Sequence, residues 1–206
     1  MLLRNLPMMK MLDFKKLEYE HISDKAKMAE LCSAFGATSG STFAPPVLVD
    51  GDVVISQTLA ICMYLGNKLN LTPDGYNEFK ALQMCMDLDD TFNGNLGKNN
   101  EDGAKLKAFL AGPRWASLMG NIERGIKGPF MFGDKPCFAD FCLAAHIEVR
   151  KATMFDKIKA QAGIDVLQPW PKVCGVADAI QGLCTYNTHG MGYMREISDE
   201  IVACLK

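Results

Sequence analysis

The chain has 206 residues, 49% of them apolar, with 22 Lys plus Arg against 24 Asp plus Glu and a formal charge of −2. That balance suits a globular core and leaves no basic field to gather phosphates, so nucleic acid is not an expected partner. The apolar runs are a few residues long, far under the ~20 that a bilayer-spanning helix needs, so no transmembrane segment is expected.

The eight cysteines (Cys32, Cys62, Cys85, Cys137, Cys142, Cys174, Cys184 and Cys204) are scattered, without a C-x-x-C pair. Most sit among apolar neighbours, as buried free thiols do. The expectation is a reduced interior, hence the cytoplasm or another reducing intracellular compartment. MLLRN at the start is too short for a signal peptide. His21, His146 and His189 are far apart and form no i, i+4 pair among themselves, so no metal is expected.

Residues 6–14 (LPMMKMLDF) place Met8, Met11 and Leu12 on one helical face. Residues 17–22 (LEYEHI) alternate and are rich in strand formers, which predicts a strand. A short helix is expected over 25–35, then a loop over 36–42. Two β-branched runs, 47–49 and 53–55, flank Asp50-Gly51-Asp52 and predict a hairpin. A helix begins at Ser56 or Gln57 and runs to about Leu69.

LTPDG at 71–75 is a polar joint. Beyond it the pattern is helical throughout: 76–92, 104–110, 114–126, 138–153, 171–183 and 197–205, with a Gly/Asn-rich loop over 93–103. Gly112-Pro113 separates two of these helices, since proline inside a helix costs ~3 kcal/mol. The expected organisation is an α/β unit over 1–69, a linker over 70–75 and an all-helical unit over 76–206.

The most informative stretch is 45–61, PPVLVDGDVVISQTLAI. Proline directly before a strand is positionally restricted. Gln57 and Thr58 stand at a helix N-terminus, where unpaired N–H groups and the helix dipole favour a small anion such as a carboxylate. On local physics alone, an ordinary helix cap beside a hairpin accounts for the same residues.

This segment resembles the glutathione-binding segment of the cytosolic glutathione transferases, at unbroken spacing from Pro46 through Asp50-Gly51 to Gln57-Thr58 and Ala60-Ile61. LEYE at 17–20, GDKPCFAD at 133–140 and Trp170-Pro171 resemble further family positions more loosely. The resemblance implies a thioredoxin-like α/β N-terminal domain followed by an all-α C-terminal domain. It implies glutathione as co-substrate, no metal, and conjugation of the glutathione thiolate to a small hydrophobic electrophile. A homodimer is implied, or a protein complex if the module is a noncatalytic scaffold.

By the same resemblance Pro46 would be a cis-proline, and Pro45 would flank the cysteinyl unit of glutathione. Gln57 and Thr58 would bind the γ-glutamyl carboxylate, and Asp90 its amine, with Asp87 or Asp89 able to fill that role. Met84, Leu88 and Phe92 are candidates for the hydrophobic pocket, although core packing is the commoner use of such residues.

Three departures stand out. Pro45 has no N–H to offer the ligand, a loss of ~1 kcal/mol. Cys137 stands where the family has a Ser or Thr helix cap, with Asp140 left to compensate. The family's first strand, which leads into a thiol-activating Tyr, Ser or Cys, has no counterpart before residue 17, so the catalytic residue stays unassigned. That strand lies mid-sheet, and without it two inner edges would be unpaired.

Overall fold

A computed structural model describes residues 4–38, 42–185 and 196–206; His189 lies outside them. The chain opens with α1 (Leu6–Phe14), α2 (Lys25–Leu31) and a single 3-10 turn (Ser33–Phe35). The hairpin β1 (Val47–Asp50) and β2 (Val53–Ser56) follows, and then α3 (Thr58–Lys68). The register pairs Asp50 with Val53, so the turn is Gly51-Asp52, with Gly51 at a φ of 60°. Positive φ at the first loop position is what a two-residue hairpin requires of glycine. Asp50 is held by the Tyr64 hydroxyl at 2.8 Å and by the Lys68 ammonium, which fastens α3 onto the hairpin and lowers the Asp50 pKa.

The predicted strand over 17–22 does not form. Residues 17–24 lie outside any helix or strand, and among the described residues β1 and β2 bond only to each other. A strand exists through its ladder partner, and among the described residues none is offered to this segment. Leu17, Tyr19 and Ile22 accordingly remain exposed.

The later described elements are helices: α4 (Asn77–Asp89), α5 (Gly97–Asn99), α6 (Gly103–Ala111), α7 (Pro113–Gly125), α8 (Phe138–Arg150), α9 (Asp156–Ala162), α10 (Pro171–Leu183) and α11 (Asp199–Ala203). The expected loop over 93–103 is instead largely helical, because α4 runs on through a wide π turn at Asp90–Leu96. Side chains take up carbonyls along this stretch. Asn95 Nδ2 donates to Asp90 O at 2.7 Å, and Arg150 Nη2 donates to Phe92 O at 2.8 Å. A second wide turn, Lys151–Phe155, follows α8 and leads into α9, a helix that the sequence expectation, which leaves 154–170 unassigned, does not contain.

Helix α8 is buried almost all round and packs against α1, α3, α4 and α10. An all-round apolar helix is the centre of a helical unit. The α/β unit reaches it through α3, where Gly66 lets the backbone pass: a Cβ there would come within 2.8 Å of Phe138. The Phe138 N–H donates to Leu71 O at 2.8 Å. Asp140, fully buried, completes the start of α8 by accepting the Cys137 N–H at 2.8 Å and the Met131 N–H at 2.7 Å.

Asp140→Ala strands both N–H groups in the interior and is expected to cost about 2–4 kcal/mol of unfolding free energy. Urea denaturation checks this; a loss below about 0.5 kcal/mol, the range of a neutral surface change, would contradict it.

Candidate functional site

The register that pairs Val47 with Ser56 sets Pro46 and Gln57 side by side at the open end of the hairpin. The Pro45–Pro46 peptide is cis. Gln57 precedes α3 with φ 74° and ψ 123°, a left-handed backbone that costs a non-glycine residue about 1–3 kcal/mol. Its conformation turns the chain from β2 into α3. The Thr58 hydroxyl donates to Arg4 O at 2.9 Å, which ties the first turn of α3 to the approach to α1.

These residues border a cleft of roughly 270 Å³. One wall is Arg4, Pro7, Gln57, Thr58 and Leu59, the opposite one Asp89 and Asn93, and the floor is Cys142, Ala145 and His146 of α8. Asp89 Oδ1 accepts from Asn93 Nδ2 at 2.6 Å, which leaves its other carboxylate oxygen for the cleft. Arg4, a helix N-terminus and Asp89 thus border one space, a set of charges suited to a small zwitterion.

Of the residues singled out in the sequence, Gln57 and Thr58 line this cleft. Asp90 does not; it begins the wide turn and is exposed, while Asp89, one residue earlier, takes the cleft position. Pro45 and Pro46 shape the hairpin entrance without lining the space, Pro46 being buried and Pro45 half-buried. Met84, Leu88 and Phe92 do not line it either. Leu88 and Phe92 are wholly buried in the core, and Met84 borders a separate cavity of roughly 350 Å³ with Phe132 and Lys80. Their helical spacing turns them inward towards α7 and α8, which is the use that core packing predicts.

The sequence reading missed Arg4, Asn93, Cys142 and His146. Cys142 and His146 are an i, i+4 pair on one face of α8, a spacing visible in the sequence once helix and face are known. His146 stacks on Phe92 with ring centroids 5.3 Å apart, and its Nδ1 is buried without a hydrogen-bond partner. Burial, and secondarily the charge of Arg150, push its pKa down to about 4, with Asp89 opposing. The imidazole is therefore neutral at neutral pH.

A histidine with a depressed folded-state pKa stabilises the fold above the unfolded value of about 6.5, and that stability is lost as pH falls towards about 4. Wild-type protein is expected to lose on the order of 2–3 kcal/mol across this window beyond what a His146→Phe variant loses. Denaturant midpoints at pH 6.5 and pH 4.5 check this; parallel losses would refute it.

No protein-family model matches the chain, and no curated protein matches its sequence. Solved structures do match it. A Pi-class glutathione S-transferase of Onchocerca volvulus superposes with a TM-score of 0.64 at 17% identity, covering 87% of this chain and 83% of that one. Prostaglandin synthase D of Nilaparvata lugens gives 0.61 at 19%, covering 86% of each chain. Maleyl pyruvate isomerase, a bacterial glutathione S-transferase of the Zeta class, gives 0.57 at 20%, covering 88% and 92%. The chain has the glutathione S-transferase fold, a thioredoxin-like N-terminal part joined to an all-helical C-terminal part.

Proposed function

We propose that the protein is a glutathione transferase-like enzyme that holds glutathione in the cleft between α3 and α8. The thiolate would be conjugated there to a small hydrophobic electrophile. The observation that carries this is the meeting of Gln57 and Thr58, at the N-terminus of α3, with Asp89 across the same cleft. In this reading the helix start takes the γ-glutamyl carboxylate, Asp89 its amine, and Arg4 the second carboxylate. The binding unit is assigned to residues 1–69, the joint to 70–75 and the helical unit to 76–206. No helix among the described residues is long and apolar enough to cross a membrane.

A second reading, a binding or scaffold subunit without conjugation activity, is favoured by one feature: the described residues lining the cleft include no Tyr or Ser, and their one cysteine, Cys142, is buried on α8. Exposed Phe43, Tyr76, Phe79 and Met86 offer apolar surface for a partner. Pairing of two copies is proposed, in either reading.

Calorimetric titration of the whole chain with glutathione tests the site. Gln57→Ala combined with Thr58→Ala is expected to weaken binding by roughly a hundredfold, the loss of about 3 kcal/mol of charge-assisted hydrogen bonding. Unchanged affinity would sink the assignment. A coupled assay with an aromatic electrophile separates the two readings, since binding without turnover selects the scaffold.

A further inference from the structure

Helix α8 gives the cleft three side chains, Cys142, Ala145 and His146, and His146 alone among them carries a nitrogen. Its ring is held in place. It lies on the Phe92 ring with centroids 5.3 Å apart and planes 18° from parallel. Phe92 is wholly buried, and Arg150 Nη2 holds its carbonyl at 2.8 Å, so the imidazole rests on a fixed support. Nδ1 is enclosed without a hydrogen-bond partner. Nε2 is not enclosed in that way, and no described residue bonds it, so this nitrogen is left for the cleft.

A neutral imidazole has one N–H and one lone pair, and the surroundings decide which nitrogen carries which. The Arg150 guanidinium, one turn further along α8, lines none of the cleft, and its own Nε is likewise enclosed and unpartnered. A positive group on the buried side of the ring favours the lone pair on Nδ1 and places the N–H on Nε2. Burial, with the Arg150 charge adding to it and Asp89 opposing, holds the ring at a pKa of about 4. So weak a base does not take the proton of a thiol that ionises near 8.5. What the ring can offer a ligand is a donated hydrogen bond.

We infer that the Nε2–H of His146 donates to the glutathione sulfur in this cleft and holds it as the thiolate. The inference rests on the cleft being a glutathione site. In that reading the α3 N-terminus, Arg4 and Asp89 take the charged ends of the ligand, which brings the cysteinyl unit between them over α8. The thiol gives its proton to water, and the sulfur anion accepts the Nε2–H. A donor already in place where charge develops costs no reorganisation when the thiol ionises. Arg4 adds to this stabilisation from one wall and Asp89 opposes it from the other, whereas the imidazole acts by contact. His146 thereby supplies the activation that a cleft without Tyr or Ser otherwise lacks.

The test titrates the ultraviolet thiolate absorbance of glutathione bound to the whole chain, with S-methylglutathione, which has no thiol to ionise, as the blank. The bound thiol is expected to ionise at a pKa about 1 to 2 below that of free glutathione. His146→Phe should return it to the free value while glutathione affinity, read by calorimetry, changes less than about threefold. His146→Gln, which keeps an N–H at similar reach, should retain at least about half of the lowering. A Gln variant that titrates like the Phe variant overturns the donor role, as does a Phe variant that titrates like wild type. Wild type needs no variant to decide the matter: glutathione bound with an unshifted thiol overturns the inference and leaves the site standing, whereas failure to bind either glutathione or S-methylglutathione overturns both. Nitrogen NMR of a chain with His21 and His189 changed to Gln reads the tautomer directly. A proton on Nε2 supports the inference, and a proton on Nδ1 refutes it.

Discussion

The Asp140 carboxylate, buried at the start of α8, accepts two backbone N–H groups, one from Cys137 at the helix entrance and one from Met131 in the preceding loop. Burial raises its pKa and the two hydrogen bonds oppose that rise. A helix that is apolar on every side cannot leave its first turn to water, so its orphan donors must be satisfied from within. Cysteine at the cap position is a weaker acceptor than serine or threonine, which leaves the carboxylate as the group on which the helix start depends.

Because α8 must be covered on all faces, its neighbours have little choice of position. Helix α1 lies along it with the Lys10 ammonium wholly buried against the Glu148 carboxylate at 2.6 Å. Removing one partner of such a pair is far more costly than replacing both, so α1 is held in one register. Helix α3 crosses at Gly66, where any side chain would strike Phe138. The cleft is the space left where these constrained elements diverge: α1 and α3 supply one wall, the end of α4 the other, and α8 the floor. The site is thus a consequence of core packing, and only Gln57, with its positive φ, bears local strain there.

Much of this was legible in the residues because the signals are local. Asp-Gly between β-branched runs specifies a hairpin by turn chemistry alone, and Pro113 and Pro171 mark helix starts whatever surrounds them. The 17–22 segment failed because a strand is a property of two segments; alternation describes a candidate, and pairing decides. The 93–103 stretch failed for a related reason. Asn and Gly weaken a helix in isolation, yet here Asn95 and Asn99 bond carbonyls one turn back and Arg150 reaches across from α8 to hold Phe92 O. In the candidate site, Gln57 and Thr58 were readable from the α3 start, whereas the choice of Asp89 over Asp90 turns on 100° of helix rotation that a side-chain list does not contain. Cys142 looked like core from its neighbours, and it is core; that it also faces the cleft depends on where three helices part.

Arg150 connects these features electrostatically. Its guanidinium is largely buried, and Nη2 is used on the Phe92 carbonyl and on Asn93 Oδ1 at 3.0 Å. The first bond satisfies a carbonyl in the wide turn, and the second orients the side chain that borders the cleft and donates to Asp89. Burial, with the same positive charge adding to it, disfavours protonation of His146 one turn earlier, so the cleft carries a neutral imidazole in place of a second cation. With the imidazole uncharged, Arg4 and the α3 N-terminus border the cleft on one side and Asp89 on the other. A ligand bearing both signs is then oriented by its ends, and its middle is brought over the floor, where Cys142 lies.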